Sequence, residues 1–104
     1  MSVSEEAELE AIWREFRPKT LARIDLIREG ARGSVGQAAD AVPRRTARME
    51  AHTLAGSAAI FGMSEGARIA REMEALLDAP GVLTAEDLSR IESLADELAL
   101  ALSP

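Results

Sequence analysis

One side chain in this sequence suits both nucleophilic and proton-transfer chemistry near neutral pH: His52, the only histidine among 104 residues. It lies within Ala51-His52-Thr53-Leu54-Ala55-Gly56-Ser57-Ala58-Ala59-Ile60-Phe61-Gly62, a run with helical composition apart from Gly56. Glycine in a helix interior costs about 1 kcal/mol relative to alanine. Something must therefore come close to that surface, either a packed helix or a partner. A single histidine and no cysteine leave no multi-histidine or thiolate metal cluster and no disulfide framework. The expected metal set is none.

The element that must carry His52 is a helix. Ala47, Ala51, Leu54, Ala58 and Phe61 recur at steps of four, three, four and three, which defines a core side. Pro43 suits its first turn, with the boundary at Asp40 or Ala41, and Gly62 suits a left-handed stop. On this helix His52 lies about 160° from Leu54, facing away from the core. Its own face consists of Arg45, Arg48, Ala55, Gly56 and Ala59, and Arg44, Arg68 and Arg71 add positive charge to the region. Small residues beside an exposed imidazole would let another protein's helix lie close. An ordinary surface histidine, with Gly56 packed against a neighbouring helix, is the competing explanation.

The rest of the chain reads as further helices. Ser2 or Ser4 can cap a first helix with Glu5 and Glu6 in its first turn, and Leu9, Ile12, Trp13 and Phe16 form its stripe. Pro18 marks the start of a second helix bearing Leu21, Ile24, Ile27 and Ala31. From Gly30 to Val42 the glycines weaken the signal. Val35, Ala38, Ala39 and Val42 favour helix continuing to about Asp40, with a loop over part of the stretch as the alternative. Ser64 and Glu65 begin a helix with Ile69, Met73, Leu76 and Leu77 buried, and Pro80-Gly81 ends it. Thr84, Glu86 and Asp87 open the last helix, whose stripe is Leu88, Ile91, Ala95, Leu98 and Leu102. No strand-like alternation occurs. Short connections make successive helices opposed neighbours, so the expected fold is all-α: an antiparallel up-down four-helix bundle with an additional N-terminal helix, residues 1–104 forming one domain.

Composition excludes several classes of function. A net charge of −6 argues against non-specific nucleic-acid binding. No apolar run approaches the roughly 20 residues of a membrane span. The acidic N-terminus is unlike a signal peptide, and the absence of cysteine fits a reducing cytoplasm. The expected localisation is cytoplasmic, with no membrane association.

His52-Thr53-Leu54-Ala55-Gly56-Ser57-Ala58, closed by Phe61-Gly62, resembles the signature of histidine-containing phosphotransfer (HPt) domains, the helical bundles of two-component phosphorelays. The Phe-Gly ending and the later Met73-Glu74-Ala75-Leu76-Leu77 are also similar to the phosphotransfer domain of chemotaxis histidine kinases. The close similarity spans Ala51 to Leu77. It implies that His52 carries a phosphoryl group on Nε2, that Gly56 leaves room for the partner's active site, and that Glu74 fixes the imidazole through Nδ1–H. Most family members have lysine three residues after the histidine. Here that residue is Ala55, which leaves Arg48 and Arg71 as candidates to hold the phosphoryl oxygens.

The implied function is phosphorelay signal transduction, with His52 passing phosphate between aspartates of receiver domains, or from a histidine kinase system to a response regulator. The chain would be a phosphocarrier without kinase activity, since nothing in it resembles a nucleotide-binding glycine loop. It needs no cofactor of its own, Mg²⁺ being expected only in the receiver domain. The implied partners are response regulator receiver domains and a hybrid histidine kinase, and the expected state is a monomer. The alternative is an interaction module of the same fold that docks receiver or kinase domains without carrying phosphate. A bundle with an unrelated structural role is a third possibility, for which a deeply buried His52 would speak.

Overall fold

A computed structural model describes residues 3–102. They form four helices: α1 (Val3–Arg32), α2 (Val42–Ile60), α3 (Ser64–Asp78) and α4 (Ala85–Ala101). The described residues contain no strand, only an isolated parallel bridge between Val35 and Leu83. The capping role read for Ser2 lies outside the described residues, and Ser4 falls inside α1 rather than at its cap.

Pro18 does not separate two helices; it sits inside α1. The additional N-terminal helix expected from the sequence is the first half of this one. Proline removes one helical hydrogen bond and crowds the preceding turn, but contacts on both sides hold the segment together. Trp13 packs edge-on against Phe61 at 5.3 Å, and beyond the proline Arg23 donates to Glu50 at 2.7 Å. Pro18 faces solvent, and the Thr20 hydroxyl donates to the Phe16 carbonyl at 3.1 Å.

The helix expected to run on to about Asp40 stops at Arg32. Val35 and Ala38, whose spacing suggested that the stripe continues, are exposed, so no buried face draws them into a helix. Residues 33–41 form turns tied to the α3–α4 connection. Gly36 donates its N–H to the Leu83 carbonyl at 2.7 Å, and Leu83 N–H returns to Gln37 at 3.1 Å. Gly36 has φ +80°, a conformation that favours glycine. Gly30, at the last turns of α1, serves a different purpose. A Cβ there would stand 2.6 Å from the Pro43 carbonyl oxygen and 2.8 Å from Ala47 Cβ, so its absence lets α1 approach the start of α2.

The other boundaries follow the sequence more closely. Pro43 lies in the first turn of α2 with Ala41 before it, and Gly62 ends the segment at φ +74°. Thr84 and Asp87 form a reciprocal capping box at the start of α4. Ser64, expected as a cap, is instead the first residue of α3; Met63 precedes it and no side chain caps the end.

The core lies between the four inward stripes: Ile24, Ile27 and Ala31; Ala47, Ala51, Leu54 and Ala58; Ile69, Ala70, Met73 and Leu77; and Ile91, Leu94, Ala95 and Leu98. The buried alanines of α2 share this core with Ala67 and Ala70 of α3, small side chains that permit close packing of helices. Across this pair, Arg48 lies near Asp78 and His52 near Glu74, so partner numbers fall along α3 as they rise along α2. The same opposition holds for α1 with α4, where Arg28 meets Asp96 and Arg32 meets Glu92.

Candidate functional site

Position 52 faces outward because the buried stripe of α2 occupies the opposite side. Leu54 is 1% exposed, whereas the His52 side chain is 74% exposed. One ring nitrogen is nonetheless engaged, with Nδ1 2.7 Å from Glu74 Oε2 on α3. A carboxylate only accepts hydrogen bonds, so a neutral imidazole in this contact carries its proton on Nδ1 and keeps the Nε2 lone pair. Nε2 has no hydrogen-bond partner among the described residues. Glu74 is itself three-quarters covered. A held Nδ1 and an open Nε2 make a nucleophile oriented from one side.

The surface around the ring is smaller than the sequence suggested. Gly56 is exposed, and a Cβ there would meet nothing within 4 Å. None of the described residues packs on it, so among them it serves no internal packing. Ala59 is exposed as expected, but Ala55 is not part of the outer face; it is 5% exposed. It stands one turn from both Ala51 and Ala58, at the edge of the core stripe, and its methyl side chain is part of the core cluster.

The five arginines separate into different roles. Arg45 is exposed on the His52 face. Arg48, half-buried one turn before the histidine, has Nε 3.7 Å from Asp78 Oδ1, a loose pairing. Arg71 lies one turn before Glu74 on α3 and makes no ion pair among the described residues. With Ala59, Gly62, Ser64 and Ala67 it borders a shallow hollow of about 220 Å³.

Arg68 is occupied elsewhere, bonded to Glu65 at 2.5 Å and Glu72 at 2.6 Å. Its guanidinium holds the Glu65 carboxyl below the ordinary carboxylate range, and Glu65 pushes Arg68 upward in return. Arg44 is removed from the surface altogether. At 1% exposure it donates to the carbonyls of Leu77, Ala79, Gly81 and Gln37 at 2.6–3.0 Å, clamping the end of α3 to both long connections. This role was missed, although a signal existed: Arg44 lies three residues before Ala47 and seven before Ala51, in register with the buried stripe.

The described residues contain no group of three or more side chains that could hold a metal ion, and no helix long and apolar enough to cross a membrane.

An all-helical chain presenting a solvent-facing histidine, oriented by a carboxylate on the next helix, has the makings of a phosphoryl-carrying helical domain. A family model described as Hpt domain matches residues 11–102, and the chain belongs to the Hpt domain family. Membership places it in histidine phosphotransfer within phosphorelay signalling, where such domains interact with receiver domains and kinases. Searches of curated proteins and of solved structures gave no match.

Proposed function

We propose that this protein is a phosphocarrier in which His52 Nε2 accepts a phosphoryl group from an aspartate of one receiver domain and delivers it to another, or relays it from a histidine kinase system to a response regulator. The observation that carries this reading is the 2.7 Å contact between His52 Nδ1 and Glu74 on an otherwise exposed ring. The Nε2 lone pair attacks phosphorus, the bond from phosphorus to the aspartyl oxygen breaks, and the partner recovers its carboxylate. The proton stays on Nδ1, and Glu74 balances the positive charge that the phosphorylated ring acquires. The reverse sequence discharges the carrier.

Gly56 and Ala59 provide close access for the receiver domain, and Arg45 and Arg48 complement its acidic pocket. Mg²⁺ belongs to that pocket, and the chain has no kinase activity of its own. Arg71 takes over the role of the lysine that most family members carry at position 55, holding a phosphoryl oxygen from the facing helix; Arg48 is the second candidate. The residue pairings described above support reading the scaffold as one antiparallel up-down bundle domain.

A second reading keeps the docking surface but not the phosphate. Ala55 favours it, because no cation projects from α2 one turn beyond His52. Incubation with a receiver domain carrying labelled acyl phosphate separates the two. Label moves to the wild type and not to His52→Gln if His52 is the acceptor; equal labelling of both proteins rejects that assignment. Tight binding to the receiver without any transfer supports the docking module.

A further inference from the structure

The first turns of α1 reach beyond the end of α2. Trp13 and Phe16 meet Phe61, just past the α2 terminus, with ring centroids 5.3 and 6.2 Å apart. Residues 3–12 therefore add about 15 Å of helix at 1.5 Å per residue, and the described chain measures 50 × 19 × 18 Å. Leu9 and Trp13 border a hollow with Phe61 and Met63. Leu9, Ile12 and Phe16 remain 42–45% exposed on one face of the helix, and nearby Ile60 is 85% exposed. A projecting helical segment this short has little stability in water by itself.

Its charges name the occupant of that face. Glu5, Glu6, Glu8 and Glu10 precede Ile12; Arg14, Arg17, Lys19 and Arg23 follow it, with Glu15 the one acid among them. The segment is thus acidic at one end, basic at the other and apolar along one side. It is complementary to itself when reversed. Alignment in the same direction would set glutamate against glutamate.

We propose that the N-terminal half of α1 is a homodimerisation face, on which the same segment of a second copy lies in the opposite direction. A two-fold axis beside Ile12 and Trp13 brings each Leu9 towards the other copy's Phe16, and each Glu6 towards the other copy's Lys19. The same patch serves both copies, which is the closed symmetry of an isologous dimer. The incoming acidic turns cross a groove of about 330 Å³ between α1 and α2, bordered by Phe16, Lys19, Arg23, Ile60 and Phe61. His52 faces α3 instead, so pairing leaves its ring accessible in both copies. The expected state is thus a dimer rather than the monomer anticipated from the sequence, and it stands whether or not His52 carries phosphate.

Sedimentation equilibrium of the full chain over a concentration series tests this, with circular dichroism to follow helix content. The expected mass rises to twice the 11.1 kDa of one chain, and association weakens as salt is added. Glu6→Lys weakens association about tenfold, because each new lysine meets Lys19 of the other copy. Glu6→Lys combined with Lys19→Glu restores it. Ile12→Glu abolishes it, and since all three positions are exposed the bundle itself survives. A single-chain mass at every concentration overturns the proposal. So does a dimer that Glu6→Lys leaves intact, or one that the double exchange fails to restore.

Discussion

Glu74 Oε2 stands 2.7 Å from His52 Nδ1, bridging α2 and α3 beside a ring that is otherwise open to solvent. The contact sets both ring orientation and tautomer. Glu74→Ala is expected to slow phosphoryl transfer roughly ten- to a hundredfold, the usual penalty for removing a group that orients a reactive imidazole. Glu74→Gln should retain part of the rate, because an amide oxygen can still accept from Nδ1–H but brings no charge. Single-turnover transfer measures the rate, and ¹⁵N spectra of the imidazole should show the tautomers mixing in Glu74→Ala.

The role proposed for Arg71 is one that can be exchanged. Arg71→Gln should lower transfer while leaving receiver binding largely intact, and Ala55→Lys added to it should recover activity. Comparison of binding constants with transfer rates checks this. An unchanged rate in Arg71→Gln would assign the oxygen-holding role to Arg48 or to the partner.

Gly56 and Gly30 should respond to alanine in opposite directions. A Cβ at Gly56 enters open space, so Gly56→Ala should raise stability by about 0.5–1 kcal/mol through backbone entropy. A Cβ at Gly30 would stand 2.6 Å from a backbone oxygen, and Gly30→Ala should lower stability by about 1–3 kcal/mol. Urea denaturation reads both. Gly56→Leu should fold normally yet weaken receiver binding, which would show that the glycine serves a partner.

Arg44 and Arg45 are adjacent in sequence but differ in what their loss should cost. Arg44→Met strands four carbonyls in or beside the core and should lower stability by about 3 kcal/mol or more. Arg45→Met should change stability by no more than about 0.5 kcal/mol. Denaturation midpoints of the two variants decide it.

The α4 cap gives an acid-sensitive contribution. The Asp87 carboxylate accepts from the Thr84 N–H at 3.0 Å, which with the Thr84 hydroxyl holds its pKa below the ordinary aspartate value. Because the folded value is the lower one, the contribution is complete above the unfolded aspartate range and is lost as pH falls through the folded value. Asp87→Asn should flatten that part of the acid limb of the stability curve, followed by denaturant midpoints across pH. Thr84→Ala should cost about 1 kcal/mol near neutrality.

Local rules made much of the bundle legible. The step of three and four along Ala47, Ala51, Leu54 and Ala58 assigns the inner side of α2, and the same periodicity turns His52 outward. Thr84 with Asp87, Pro43 and Gly62 mark ends by chemistry confined to one turn. The Hpt signature likewise rests on a short run. Spacing also carried a signal at Arg44, but an arginine on a core stripe is explained only by four carbonyls arriving from residues up to 37 positions away.

Other features were decided between elements. Pro18 marks a helix start by local preference, yet contacts on both sides of it keep α1 continuous. Val35 and Ala38 keep a helical spacing but are exposed, and the bonds to Leu83 that fix the turns of residues 33–41 come from a remote connection. Ala55 belongs to the outer face on a helical projection, but packing of the bundle puts it under cover. Sequence alone therefore determined which residues share a helix face and that His52 points outward, since those follow from periodicity within one element. Only the tertiary structure decided that Nδ1 is held by Glu74, that none of the described residues covers Gly56, and which arginines remain beside the ring. Each depends on how separate helices pack against one another, which periodicity within one helix does not set.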